Sequence, residues 1–371
     1  MKRIRLPNSE FEGENDVYVL DDGRETVFVD AGAALDTVRA ALDDGLADIG
    51  RTLADVDAVL LTHWHYDHAG LAGEIQRVSD ATVYAHEADA ALIADTAAST
   101  FDDDQHRSDQ LASWGMPAEP RRELTAFLDS HDTLAGESVD VTPLSDGDTL
   151  TLAGVAFEVV HLPGHAAGLV GYDAAHAEIA ATAGDDARER SNGESERSHH
   201  EQTQSSESRA DRATFVGDAI LPRYTPNVGG ADLRVDDPLA QYVASLERLI
   251  RRDPAVAYPG HRDRIDDPAG RAATILQHHR ERTRRVIDAL SRLGPATPWA
   301  VSADLFGDLE AIHILHGPGE AYAHLHHLDS HGVVDRDDRE YELVADPERV
   351  DLDDLFPSVE QTVAPDAGGD D

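Results

Sequence analysis

Apolar and polar positions alternate along the chain in a way that predicts stacked α and β layers. Val17–Leu20 and Thr26–Val29 are short β-rich runs separated by Asp21-Asp22-Gly23, a hairpin signal, and Ala33–Leu46 follows with helical spacing. Ala58–Leu61 is apolar throughout, as expected of a strand buried on both faces, and leads directly into Thr62-His63-Trp64-His65-Tyr66-Asp67-His68. Thr82–Tyr84 is the next predicted strand, and residues 87–135 are mostly helical in composition, interrupted near Gly115, Pro117 and Pro120. A second hairpin, Thr149–Leu152 and Val155–His161 turning at Ala153-Gly154, closes on Leu162-Pro163-Gly164-His165. Thr214–Val216 runs into Gly217-Asp218, Leu239–Ile250 is a helix, and Ala255–Tyr258 is a last strand ending at Pro259-Gly260-His261.

Two stretches break this pattern. Residues 184–213 hold no Val, Ile, Leu or aromatic residue, so they are expected to be a disordered insertion. After about Gln277 come an Arg-rich helix (Arg280–Leu293), two shorter helical stretches, and a hairpin of Val333–Arg336 and Glu340–Val344. Helices closed by a hairpin outline a winged-helix module. The expected plan is a first domain over 1–275, a small winged-helix-like domain over 276–345, and a frayed acidic tail over 346–371.

Composition narrows the setting. Asp and Glu outnumber Lys and Arg by 73 to 31 in 371 residues, for a net charge of −42, with Asp supplying 49 of the acids and Lys2 the sole lysine. Such a charge repels itself unless concentrated salt screens it, so the chain reads as halophilic. The absence of Cys excludes disulfides, thiolate-bound zinc, iron–sulfur clusters and thiol nucleophiles. The opening MKRIRLPNSEFEG has no apolar stretch behind its basic residues, and no run is long enough to span a membrane. A cytoplasmic protein with no membrane partner is expected.

The sharpest chemical signal is His63-x-His65-x-Asp67-His68 at the end of a buried strand. Period two sends His63 and His65 to one side, and imidazole with carboxylate suits Zn²⁺. His165, Asp218 and His261 each follow a predicted strand and a glycine, which lets the backbone turn sharply and aim the side chain into a shared cleft. Seven ligands are too many for one tetrahedral ion and about right for two. His161 reads as a packed strand residue and Trp64 and Tyr66 as packing. His86, His199, His200, His278, His279, His324, His326, His327 and His331 are expected on solvated faces.

Together these motifs resemble the metallo-β-lactamase superfamily over about residues 3–275, which implies an αββα sandwich with a dimetal site between its sheets. The resemblance implies two Zn²⁺ per chain, Fe or Mn being the alternatives. His63, His65 and His165 would hold the first ion, Asp67, His68 and His261 the second, and Asp218 would bridge them. Asp67 would also orient the nucleophile, a metal-bridging hydroxide, and pass its proton on. Asp30, in Val-Asp-Ala-Gly, would orient a histidine ligand, and Tyr224 and Asn227 are the candidate substrate-binding residues. His65 stands where oxygen-reducing diiron relatives carry Glu. The arrangement with a C-terminal winged helix is similar to a glyoxalase II-like and lactamase-like branch that includes single-strand-specific endoribonucleases. The expected function is hydrolysis of a small-molecule ester or thioester. The alternatives are RNA cleavage and, in another class, a nucleic-acid-binding module with a structural metal. Residues 271–292 favour RNA mildly through six Arg, whereas 301–345 are acidic and favour a lid wall or a homodimer contact.

Overall fold

A computed structural model describes residues 1–8, 13–94, 104–129, 136–182 and 211–357. One sheet runs β1 (Lys2–Leu6), β2 (Asn15–Asp21), β3 (Thr26–Val29), β4 (Ala58–Leu60), β5 (Thr82–His86) and β6 (Val141–Leu144). The other runs β7 (Thr149–Leu152), β8 (Val155–His161), β9 (Val170–Ala175), β10 (Arg212–Gly217) and β11 (Val256–Pro259). Helices α1 (Asp36–Ala47), α2 (Tyr66–Ala69), α3 (Ala72–Ser79), α4 (Glu87–Ala94), α5 (Asp104–Ser113), α6 (Ala118–Asp129), α7 (His176–Ala181) and α8 (Pro238–Arg252) join or flank them. The C-terminal region adds α9 (Pro268–Leu293), α10 (Pro298–Phe306), α11 (His313–Ser330) and a hairpin of β12 (Val334–Asp337) and β13 (Glu340–Leu343).

The alternation of the strands sets the layers. Tyr18, Leu20, Val27, Val29, Ala58 and Leu60 pack with Phe157, Val159, Tyr172, Phe215 and Tyr258 in a core between the two sheets. Their neighbours Val17, Val19, Phe28 and Val59 turn the other way onto Val38, Leu42 and Leu46 of α1 and Ile75 of α3. Val160, Val216 and Ala257 likewise meet Leu239, Tyr242 and Leu246 of α8 and Ile275 of α9. The result is the αββα sandwich, in which central strands such as β3 and β4 are mostly apolar and buried on both faces because each face is covered.

Three strands were not legible. β1 alternates basic residues with Ile4 and Leu6, and its Arg5 pairs with the buried Asp16 at 3.2 Å. β6 contains Pro143, tolerated because β6 is an edge strand. β9 contains Gly171, where a Cβ would stand 3.0 Å from the Thr214 Cγ2.

The C-terminal region departs further from expectation. The boundary expected between residues 275 and 276 falls inside α9, which begins at Pro268, with the Asp267 carboxylate capping the Gly270 N–H at 2.9 Å. α11 is 18 residues long rather than a short stretch. Its Leu325 and Leu328 share one apolar cluster with α8, α9 and Tyr341 of β13, so this region has no separate core. The tail is docked as far as residue 357: Leu355 and Phe356 are buried, and Arg284 donates to the Pro347 and Val350 carbonyls. Of the expected insertion, Arg212 and Ala213 already belong to β10, while 184–210, like 358–371 of the tail, lie outside the described residues.

Candidate metal centre

The predicted ligands stand on four strand ends, two sheets contributing to one cleft. Each sheet anchors the other there: the Tyr172 hydroxyl donates to the Leu61 carbonyl just before His63, and the Tyr18 hydroxyl to the Pro259 carbonyl just before His261, both at 2.7 Å. The glycine ahead of each ligand meets one of two needs. Gly164 and Gly217 have φ of +134° and +47°. At Gly260 the demand is space, since a Cβ would lie 2.4 Å from the His68 Cε1 and 2.8 Å from the Asp218 Oδ1.

The side chains form two groups. His63 Nε2 and His165 Nε2 lie 2.8 and 3.1 Å from His65 Nδ1. Nitrogens about 2.0–2.1 Å from one tetrahedral ion would stand about 3.3 Å apart, so this convergence suits a metal. In the second group, His261 Nε2 is 3.4 Å from Asp67 Oδ2 and His68 Nε2 is 3.8 Å from it. Asp218 lies between the groups, with Oδ2 at 3.4 Å from His261 Nε2 and 3.8 Å from His165 Nε2, and Oδ1 at 3.7 Å from His68 Nε2. All but His65 are buried.

Every imidazole is held from behind. His68 Nδ1 is 2.9 Å from Asp30 Oδ2, His65 Nε2 is 3.0 Å from the Ala231 carbonyl, and His165 Nδ1 is 2.9 Å from the Asn227 carbonyl. His261 Nδ1 faces the Gly13 carbonyl at 3.3 Å and His63 Nδ1 the Thr62 hydroxyl at 3.1 Å. Meanwhile His68 Nε2, His261 Nε2 and Asp218 Oδ1 are buried without any hydrogen-bond partner. Buried polar atoms rarely go unpaired, and all three point into the cleft, so the donor set fits metal ions.

Electrostatics differ between the groups. Burial, aided by the neighbouring His68 and His65, pushes His63 well below the usual imidazole range, and burial with His165 lowers His65 to about 4. These rings are neutral and offer lone pairs. Burial would raise Asp67 and Asp218, yet His68 and His261 hold both carboxyls below their ordinary range. Reciprocally, burial alone would lower His68 and His261, but the carboxylates raise His68 well above 6.5 and His261 to about 10. A cation entering here displaces protons.

Several residues of the site carried no sequence signal. Asn15 and Asn8 donate to Asp67 Oδ2 at 3.1 and 3.3 Å. Asp89 accepts from the Trp64 and Gly168 N–H groups, Asp232 from the Trp64 indole and the Ala167 N–H, and Arg234 bridges both carboxylates at 2.7 and 2.6 Å. This triad, its two carboxylates buried, links the loop between His63 and His65 to the loop after His165. Two expectations fail on geometry. The Asn227 side chain is committed to α11 rather than to a substrate, donating to the His316 carbonyl and to Glu320. His86, His279, His324 and His327 are buried, not solvated, with His86 stacked on His161 at 4.0 Å. Tyr224 is 51% exposed and lies against the Arg262 guanidinium beside His261.

The chain is similar to known proteins. Residues 12–183 match the sequence profile of the metallo-beta-lactamase superfamily. A Bacillus subtilis protein described as a probable metallo-hydrolase is 25% identical over 89% of this chain and 92% of its own. A Drosophila melanogaster beta-lactamase-like protein 2 homolog is 22% identical over 74% of this chain and 68% of its own. The crystal structure of a metallo-beta-lactamase family protein from Thermus thermophilus superposes with a TM-score of 0.70 at 26% identity, covering 92% of this chain and 97% of that one. With its αββα sandwich and its strand-end histidines and aspartates, the chain has the metallo-β-lactamase fold, is similar to members of that superfamily over residues 12–183, and is a metal-dependent hydrolase.

Proposed function

We propose that the protein is a dinuclear zinc hydrolase acting on a small-molecule ester or thioester. The observation that carries the dinuclear reading is Asp218, which lies within 3.8 Å of the donor atoms His165 Nε2, His68 Nε2 and His261 Nε2, and so faces both groups. His63, His65 and His165 would hold one ion and Asp67, His68 and His261 the other. Ions held there supply Lewis acidity toward a substrate carbonyl and a nucleophilic water at neutral pH. Asp67, steadied by Asn15 and Asn8, is placed to orient that water and take its proton, and Tyr224 with Arg262 forms a wall beside His261.

The choice of a small substrate over RNA rests on where the α9 cations point. Arg271 donates to the Leu221 and Tyr224 carbonyls, Arg282 to Glu320, Arg284 to the docked tail, Arg285 to Leu305 and Arg292 to Asp304. Arg280 pairs with Asp353. Each of these six guanidinium groups already donates to a carbonyl or carboxylate of the fold, which supports reading the winged-helix-like segment, residues 276–345, as a wall of the catalytic unit. The test offers zinc-loaded protein an acyl thioester and a labelled single-stranded RNA in parallel, in about 2–3 M KCl to screen its charge. We expect thioester cleavage that falls at least 10³-fold in Asp218→Ala, and intact RNA. RNA cleavage abolished by the same substitution would overturn the substrate class, and equal activity of variant and wild type would overturn the centre.

A further inference from the structure

We infer that the C-terminal region tunes the first ligand group, with Asn227 and Glu320 acting as positioning residues for His65 and His165 through the loop 227–231. The inference rests on the metal reading proposed above. The loop sequence is Asn227-Val228-Gly229-Gly230-Ala231, and its two ends carry the carbonyls that accept from His165 Nδ1 and His65 Nε2. Those two hydrogen bonds fix which nitrogen of each ring keeps its proton, and so which lone pair faces the cleft.

The loop has little structure of its own and is held by α11, backbone against backbone. A Cβ at Gly229 would stand 2.5 Å from the Gly319 carbonyl oxygen, one at Gly230 2.7 Å from the His316 Cα, and one at Gly319 2.3 Å from the Gly230 Cα. Three glycines are needed for that approach. The Asn227 amide then fastens it: Nδ2 donates to the His316 carbonyl at 3.1 Å and to Glu320 Oε2 at 3.2 Å, while Oδ1 accepts from the Gly230 N–H at 3.1 Å. Glu320 is itself buried and is fixed through Oε1 by Arg282 of α9 at 2.8 Å, whose guanidinium lies against Phe306 of α10. Three helices of the C-terminal region therefore converge on one asparagine, whose own carbonyl faces a ligand.

Among the described residues, the second group has no such support from the C-terminal region. His68 leans on Asp30 and His261 on the Gly13 carbonyl, both within the sandwich. A lesion at Asn227 or Glu320 should thus weaken one ion and spare the other, which a general loosening of the fold would not do.

The experiment titrates Co²⁺ into the full chain against a competing chelator and follows the visible absorption of each bound ion. His165→Ala and His261→Ala identify which uptake step belongs to which group, and Arg292→Ala, at a surface pair of the same region, is the control. Asn227→Ala and Glu320→Gln should each weaken the His165-dependent step on the order of tenfold and shift its absorption band, leaving the His261-dependent step unchanged. Arg292→Ala should change neither. Asn227→Ala leaves the Arg282–Glu320 pair intact, so it carries the test if Glu320→Gln fails to fold. Wild-type affinity and spectrum at the His165-dependent step, or equal weakening of both steps, would overturn the inference. A wild-type chain that takes up no Co²⁺ would overturn the dinuclear function itself and this inference with it.

Discussion

Asp30 shows how much the centre depends on groups that touch no substrate. Its φ is +62°, a conformation few residues other than glycine adopt, and its carboxylate accepts from the Thr62 N–H at 2.8 Å, the Thr62 hydroxyl at 3.0 Å and His68 Nδ1. The strained residue is held by the loop it orders, which is how such strain persists at functional sites. Asp30→Asn replaces one acceptor oxygen by a donor and should weaken zinc at the His68 group by about 10–100-fold, as read by chelator competition, with the His165 group unaffected. At this scale the sequence spoke through rare combinations. His63, His65, Asp67 and His68 stood out because few chains place four such groups in six residues after an apolar strand. Asn15 and Thr62 did not, because a lone Asn or Thr is common, and its role exists only once folding brings Asp67 or Asp30 to it. Asn227 was noticed for its place in the sequence and given the wrong neighbour.

Strand ends and loops are where the elements do their positioning. A glycine before His165, Asp218 and His261 predicts a sharp backbone turn, and the positive φ of Gly164 and Gly217 supports that, whereas Gly260 gives way to His68 and Asp218. The Asp89–Arg234–Asp232 triad does comparable work between loops. Its carboxylates are buried, and removing the cation strands two charges. Arg234→Met should therefore lower stability by about 3–5 kcal/mol, seen as a drop in the denaturation midpoint, and weaken zinc at the group containing His65. Elements with one clear period, such as the β7–β8 hairpin, were legible in outline. β1, β6 and β9 were not, because basic residues, an edge proline and a packed glycine obscure the alternation that their burial obeys. The start of α9 was marked by Asp267-Pro268, yet the shift to arginine-rich composition ten residues later drew the boundary into the helix.

The whole molecule joins a highly acidic surface to a C-terminal region that is part of the enzyme's core. His279 and His324 stack there at 5.4 Å, and burial first, then the charges of His278, Arg282 and His327 around His279 and of His279, Arg282 and His327 around His324, holds both well below 6.5. The folded state therefore binds fewer protons than the unfolded chain below that pH, and these two contribute stability above pH 6.5 that is lost as pH falls. Glu320, raised by burial against the pull of Arg282, acts in the opposite sense. In concentrated KCl, which suppresses the general charge effect, the unfolding midpoint should fall between pH 7.5 and 5.5, and His279→Leu should flatten that dependence. The layered fold was readable because periodicity is local. The shared core was not, since nothing in the sequence says that Leu325 and Leu328 will pack with α8.

The measurement closest to the central claim is metal stoichiometry: zinc per chain by elemental analysis after loading in concentrated KCl and desalting, for wild type, His165→Ala and His261→Ala. Two ions in the wild type and one in each variant is the predicted result. A single ion in the wild type, or two retained in either variant, would contradict a centre built from two ligand groups sharing Asp218.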